Sequence, residues 1–326
     1  MSHNPFRRFA SLQIAGLGLG WCVAGVVAVW LAFWTASLHA QEVTLAWKLR
    51  PGEVFYLLFD TEAKTDTVIK DQTINQRMRL VMLYRYQVLE ATANGYVLEQ
   101  TVEEVATDSR DFLGGLALQM RGVKLKVHTD RNFKVTKLEG HAELAKRIGA
   151  DDPVVGKALQ ELVSESALRE QIQAEFNFLP DKPVRRGDKW DRQLQIPAGP
   201  LGTFTLRQTL TYEGTETRDG KVLDRISGVA STTYAPPKPD AELPVRVSKG
   251  ELLASDWKGT HWFDREAGRL VASEGIARYK LRLTLTPAGT KPGQASLDFT
   301  MDIAQEVKTR TQVSTDRPQL PKLESH

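Results

Sequence analysis

Apolar and polar residues alternate strictly along several stretches of this chain. From Met78 to Val88 every second residue is apolar or aromatic, while Arg79, Arg85 and Gln87 take intervening positions. A period of two puts alternate side chains on opposite faces and predicts a strand buried on one side. Phe204, Leu206, Leu210 and Tyr212 repeat the pattern, interrupted by Gln208. So do Tyr279, Leu281, Leu283 and Leu285 against Arg278, Lys280 and Arg282, and Leu297, Phe299, Met301 and Ile303 against Asp298 and Asp302. Pro287–Gln294 separates the last two runs and predicts a hairpin. Its outer face then pairs a basic strand with an acidic one, at roughly 0.2–1 kcal/mol per pair.

Met78–Leu89 and Ile276–Thr286 exceed the usual strand of about 5–6 residues. Long one-sided antiparallel strands curl, which predicts a bent sheet or half-barrel whose concave side is filled by a helix, by large side chains or by a ligand. The β pattern breaks between residues 141 and 178. Asp152 and Pro153 suit a helix start, followed by Val155, Ala158, Leu159 and Leu162 on one face. Leu168, Ile172 and Phe176 at spacing of four predict a second helix from about Ser166 to just before Leu179, and a short one is expected near Ala142–Ile148. These helices either plug the open face of the sheet or form a lid over a cavity. Ala235–Asp240 and the Gly114-Gly115 region read as loops, and residues 313–326 as a flexible tail.

The β-rich text is written twice. Pro51-Gly52-Glu53-Val54-Phe55 is echoed by Arg186-Gly187-Asp188-Lys189-Trp190, and the element from Asp130 to Gly140 by the one from Asp264 to Gly275. Gly52 and Gly187 stand 135 residues apart, as do Gly140 and Gly275, whereas Gly95 and Gly220, at the heads of Gly-Tyr-Val-Leu-Glu and Gly-Lys-Val-Leu-Asp, stand 125 apart. Three echoes in one order predict a duplicated unit, 41–140 and 179–312, joined by a helical connector at 141–178. The fold class expected is mainly β with a helical insert (α+β): a duplicated, curved antiparallel sheet or half-barrel covered by two or three helices.

Residues 1–40 read differently. Arg7 and Arg8 precede an apolar run from Ile14 to Trp34, and Ala36-Ser37-Leu38-His39-Ala40 supplies small residues. That order is an export signal with cleavage after Ala40. At 21 residues the run is also long enough to stay as an anchor, so membrane association depends on whether it is cleaved. Either outcome puts the body in the periplasm or outside the cell. Cys22 follows Gly20-Trp21, unlike a lipidated cysteine, and as the only cysteine it leaves the exported portion with no thiol, no disulfide and no cysteine-ligated zinc. Beyond Ala40 stand 41 basic and 40 acidic residues, a balance that gives nucleic acid no electrostatic foothold.

The chain holds no nucleophile elbow, no His-Glu-x-x-His, no phosphate loop and no dinucleotide fingerprint. His261 and Asp264 come nearest to an acid–base pair, but strand alternation sets residues three apart on opposite faces. Glu103, Glu104, Asp108 and Asp111 lack calcium-loop spacing and read as a solvated acidic loop. Asp181, Asp188 and Asp191 stand among Lys182, Arg185, Arg186, Lys189 and Arg192, where ion pairing is expected. No catalytic residue, cofactor or metal site is expected.

Leu179-Pro180-Asp181-Lys182-Pro183-Val184 followed by Gly187-Asp188-Lys189-Trp190, with Phe263-Asp264 and Gly268 downstream, resembles an uncharacterised family of exported bacterial proteins known as a domain of unknown function. The resemblance covers most of the chain after Gln41 and brings no catalytic residues. More loosely, a curved sheet covered by helices is similar to the LolA/LppX-like lipoprotein carriers. Physically, Gly187 permits a tight turn, Asp188 bonds turn amides, and Trp190 opens a strand with its ring in the core. Gly52 serves the first copy alike, and Asp264 with Gly268 makes a second kind of turn. The function expected is non-enzymatic: Leu80, Met82, Tyr84, Tyr86, Phe204 and Leu206 on the concave face hold an apolar or lipid-like ligand. The alternatives are an envelope protein-interaction module with a filled core and, third, a hydrolase whose site is assembled from afar.

Overall fold

The computed structural model describes residues 42–109, 112–148, 163–237, 245–287 and 298–323. The leader and the expected helix around Val155–Leu162 lie outside them. Eleven antiparallel strands form one sheet: β1 (Val54–Ile69), β2 (Gln72–Thr92), β3 (Gly95–Thr107), β4 (Lys124–Asp130), β5 (Val135–Glu139), β6 (Lys189–Pro197), β7 (Thr203–Arg218), β8 (Lys221–Ala235), β9 (Val245–Asp264), β10 (Arg269–Pro287) and β11 (Phe299–Ser314). Their order is β5-β4-β3-β2-β1-β11-β10-β9-β8-β7-β6. Each half is a meander of sequential neighbours, and the last strand closes the centre by pairing with the first, Leu57 opposite Val313 through Ile69 opposite Met301.

Three α-helices are described: α1 (Phe112–Gln119), α2 (His141–Arg147) and α3 (Glu165–Phe176). α2 falls where a short helix is expected and α3 where spacing of four predicts one; Ser164 caps α3 by accepting from the Ala167 amide. α1 corrects the loop expected at Gly114-Gly115. Glycine disfavours helix by up to about 1 kcal/mol per residue, but Ala117 is buried and Leu116 and Met120 pack against the main core. Packing there outweighs propensity. At Gly114 a Cβ would stand 2.3 Å from the Ser109 carbonyl oxygen, so the close turn requires glycine.

α3 packs against both β5 and β6, the two outer strands of the sheet. The Val135 amide of β5 donates to Gln173 Oε1 at 2.9 Å, and Arg192 of β6 donates to the Asn177 carbonyl at 2.7 Å. The sheet is therefore rolled until one helix spans its two edges, which answers the exposed-edge problem by covering. Inside the roll lies a single large core cluster drawing on both halves, from Val127 on β4 to Leu210 on β7.

Through that core runs an extended strap that the alternation analysis missed. Val43, Leu45, Trp47 and Leu49 are buried while Thr44, Ala46, Lys48 and Arg50 are exposed. Val43 and Val184 exchange amide–carbonyl bonds of 2.8 and 2.9 Å, the Lys48 amide donates to the Gly268 carbonyl at 2.9 Å, and Tyr96 Oη donates to the Trp47 carbonyl at 2.8 Å. The Trp47 ring meets Phe133, Phe176, Phe178 and Phe263 with centroids 4.6–5.8 Å apart. The period-two signal was present at Val43–Leu49, but four positions next to a long apolar run are too few to mark an interior strand.

The echoed turns make the same bonds. The Gly52 amide donates to the Val88 carbonyl and the Val88 amide to the Glu53 carbonyl; the Gly187 amide donates to the Tyr212 carbonyl and the Tyr212 amide to the Asp188 carbonyl. Gly52 and Gly187 have φ of 82° and 92°, and each is followed by a carboxylate that accepts an amide three residues back, from Arg50 to Glu53 and from Arg185 to Asp188. The Trp190 ring is half-buried and donates to the Phe178 carbonyl at 3.0 Å. Asp264 Oδ1 accepts from the Ala267 amide, and Gly268, at φ 64°, donates to the Asp264 carbonyl.

The outer face of the β10–β11 pair carries the expected ladder: Arg278 Nε stands 2.7 Å from Glu306, and Arg282 grips Asp302 with two bonds of 2.7 and 2.8 Å. The stretch after Val313, expected as a flexible tail, carries contacts. Leu320 and Leu323 pack on Tyr56, Leu58, Val81 and Leu83 of the convex face, and Arg317 pairs with Glu103 and Glu104. That also occupies two members of the acidic cluster; a third, Asp108, accepts from the Arg79 amide. Among the described residues no ion pair engages Asp181, Asp188 or Asp191: Asp181 accepts from Asn132, Asp188 from the Arg185 amide and Asp191 from Thr209. Folding offers these carboxylates neutral donors at fixed distance, whereas exposed ion pairs gain little.

Candidate functional site: an interior cavity

Strand register decides which side chains face inward. Phe55, Leu57, Phe59 and Thr61 on β1 stand opposite Tyr86, Tyr84, Met82 and Leu80 on β2, and Tyr86 stands opposite Gln100 on β3. Leu57, Phe59, Leu80, Met82, Tyr84, Tyr86 and Gln100 of these, with residues of α1, α3 and β6, line a partly open cavity of about 430 Å³. Its apolar lining includes Phe59, Met78, Leu80, Met82, Leu116 and Leu168.

Of the sequence-predicted residues, Leu80, Met82, Tyr84 and Tyr86 line this cavity together. Leu206 and Phe204 face inward on β7 but stand elsewhere. Leu206 is buried opposite Leu194 and Thr232, and Phe204 joins Tyr234 and Tyr279, at 5.3 and 5.4 Å, in a second apolar cluster with Leu281, Leu283 and Leu285. The turn residues Gly52, Gly187, Asp188, Trp190, Asp264 and Gly268 shape the frame and do not line the cavity.

Polar groups gather at one end of the lining. Glu175, near the end of α3, accepts from Thr311 Oγ1 at 3.2 Å, and burial raises its carboxyl above the ordinary glutamate range. Burial also raises the Tyr84 and Tyr86 phenols, with the Glu175 charge adding to both. Arg192 lies behind them. Burial lowers its guanidinium to about 10, while Gln208 and the Ala174 and Asn177 carbonyls accept its hydrogen bonds. Gln100 is 6% exposed and its Oε1 has no partner among the described residues.

His261 is buried deeper. Its ring stacks on Phe178 with centroids 4.4 Å apart and planes 9° from parallel, and neither ring nitrogen has a partner among the described residues. Burial, then the Arg192 charge, lowers it to about 3, so it is neutral at ordinary pH. It does not pair with Asp264, whose carboxylate serves its own turn. Sequence reasoning also missed Asp224, whose side chain is 3% exposed: it accepts from Tyr212 Oη at 2.7 Å and from Arg265 at 2.7 and 3.0 Å. Among the described residues no cluster of histidine and carboxylate groups forms a metal site. No described helix is long and apolar enough to cross a membrane.

A frame of this kind, one rolled antiparallel sheet around a lined interior, defines a β protein with a partly open, mainly apolar cavity. The chain belongs to the family described as a family of unknown function (DUF6263), whose model matches residues 75–238, from β2 to just past β8. The match includes the Gly187-Asp188-Lys189-Trp190 element and stops short of the Asp264–Gly268 turn. No curated protein matches the chain. Among solved structures it is similar to one titled lipid–protein interactions in lipovitellin, at 9% identity and a TM-score of 0.41, covering 85% of this chain and 27% of that one. It is also similar to the outer membrane protein OprG from Pseudomonas aeruginosa (8% identity, TM-score 0.21, 83% and 99% covered) and to a DUF1329 family protein from Desulfovibrio piger (9%, 0.14, 81% and 84%). The chain thus spans about a quarter of the lipovitellin chain. At these scores no ligand or activity passes from those proteins to this one.

Proposed function

We propose that this is an exported, non-enzymatic envelope protein that holds an apolar, lipid-like ligand inside a rolled sheet built from two copies of a five-strand unit. The observation that carries the reading is the cavity of about 430 Å³, lined mainly by aliphatic and aromatic side chains. That volume is within the roughly 300–1,000 Å³ of small-molecule sites, and an apolar space of this size exceeds the voids of a well-packed core. The unit in the first half is β1–β5 and in the second β6–β10, supported by the matching bonds at Gly52 and Gly187. β11 joins the two.

The test is native mass spectrometry of the full-length protein expressed in a bacterial envelope and extracted gently. The expected spectrum carries extra mass that dissociates on activation and identifies as lipid. Leu80→Trp, which narrows the cavity, reduces that mass while circular dichroism stays unchanged. A bare polypeptide that takes up no added lipid overturns the reading and favours the interaction module.

A further inference from the structure

We propose that the cavity selects apolar ligands whose polar end donates hydrogen bonds and carries no negative charge, such as a long-chain alcohol or amine, and excludes anionic amphiphiles. The inference rests on the proposed ligand-holding function and specifies the ligand's head. Its first ground is the charge of the lining. The ionisable side chains among the described lining residues are Glu170, Glu175, Tyr84 and Tyr86, and no lysine, arginine or histidine stands with them. Glu170 is already engaged, accepting from Gln173 Nε2 and the Gln195 amide at 3.3 Å each. Glu175 keeps accessible surface although protein encloses it, because that surface faces the cavity.

The nearest guanidinium, Arg192, is outside the lining and spends its donors on Gln208 and on the Ala174 and Asn177 carbonyls. The Arg192 charge already acts on Glu175, lowering a carboxyl that burial raises, so an anionic head would meet Glu175 in a poorly solvated space with no second cation in the lining to offset it. The second ground is independent of charge. Gln100 stands opposite Tyr86 across the β2–β3 ladder and opposite Leu125 on β4 and is one of the lining residues; the residue is 6% exposed, and its Oε1, itself fully covered, has no partner among the described residues. Buried polar atoms are normally satisfied, so a small turn of this side chain toward the occupant lets the acceptor take a donor from the ligand's head. Glu175 raises both Tyr84 and Tyr86, and Tyr86 is the cross-strand neighbour of Gln100. Acceptor, phenols and carboxyl thus share one end of the cavity, while Met78 and Leu80 continue it as an apolar sleeve.

The experiment uses the delipidated full-length chain at pH 7 with n-dodecanol, n-dodecylamine and n-dodecanoate, each displacing the naphthylamine probe N-phenyl-1-naphthylamine. Dodecanol and dodecylamine are expected to displace it at concentrations at least tenfold below dodecanoate. Glu175→Gln, isosteric and still able to accept from Thr311, should bring dodecanoate within threefold of the others. Gln100→Leu should weaken dodecanol at least fivefold once the probe's affinity for the variant, measured directly, is used to correct the displacement. Equal displacement by all three heads in the wild type overturns the head-group inference and leaves the apolar cavity standing. Preference for dodecanoate overturns it likewise. A chain that binds neither probe nor competitor fails the proposed function itself. Thermal unfolding of each variant separates lost selectivity from lost folding.

Discussion

Acidification should unfold this protein through His261, and replacing that residue should remove the effect. The imidazole is 7% exposed, stacks on Phe178, and is held neutral down to about 3 by burial and by the Arg192 charge. In the unfolded chain the same group titrates near 6.5. Between those values the unfolded state binds a proton that the folded state refuses, so stability falls as pH drops through 6.5 and goes on falling until about 3. Each unit is worth about 1.36 kcal/mol, giving roughly 2 kcal/mol lost by pH 5 and about 5 kcal/mol over the whole window. His261→Phe keeps the stack and removes two ring nitrogens that have no partner among the described residues, so it should match or exceed wild-type stability at pH 7.5 by about 1 kcal/mol. The assay is urea unfolding of both proteins at pH 7.5 and pH 5. The wild type should lose about 2 kcal/mol more than the variant between the two, since every other titrating group is shared. Equal losses, or a His261 ring proton in nuclear magnetic resonance titrating near 6.5, would refute the reasoning.

Four further substitutions have outcomes set by their surroundings. Gly268→Ala should cost roughly 2–4 kcal/mol in chemical denaturation, from a left-handed φ plus a clash at the strap, because its Cβ would stand 2.3 Å from Lys48 Cβ and 2.6 Å from the Lys48 amide. Gly220→Ala, also at positive φ but with nothing within 4 Å, should cost only about 1 kcal/mol. Arg265→Met leaves the Asp224 carboxylate buried without its cation and should cost about 3 kcal/mol, part of which Asp224→Asn restores in the double variant. Arg282→Ala breaks an exposed two-bond pair with Asp302 and should leave the urea midpoint nearly unchanged, because solvent screens such pairs.

The long strands were legible because each buries one face, and a period-two pattern follows from that alone. The Arg278–Glu306 and Arg282–Asp302 ladder was legible for the same reason: a hairpin register predicted from its turn sets opposite charges across from one another. α3 could be found because Leu168, Ile172 and Phe176 recur at helical spacing and a serine stands at its start. α1 could not, since Leu116, Ala117 and Met120 earn their helix by packing on an interior that the local sequence does not describe. The candidate site was half legible. Leu80, Met82, Tyr84 and Tyr86 share one strand and one face, so alternation groups them; Phe204 and Leu206 show the same pattern, but their strand is far across the sheet.

By itself, then, the sequence determined the β character, the turn chemistry at Gly52, Gly187 and Asp264, and which side of each long strand avoids water. Those are properties of neighbours along the chain. Only the tertiary structure decided that β11 enters between β1 and β10, that α3 spans the two outer strands, and that the Val43–Leu49 strap runs through the interior. The same closure sets Glu175 of α3 against Thr311 of β11 and Gln100 of β3 against the cavity. Such contacts join residues up to hundreds of positions apart, and their partners are selected by register and by the way the sheet rolls, which no local pattern encodes.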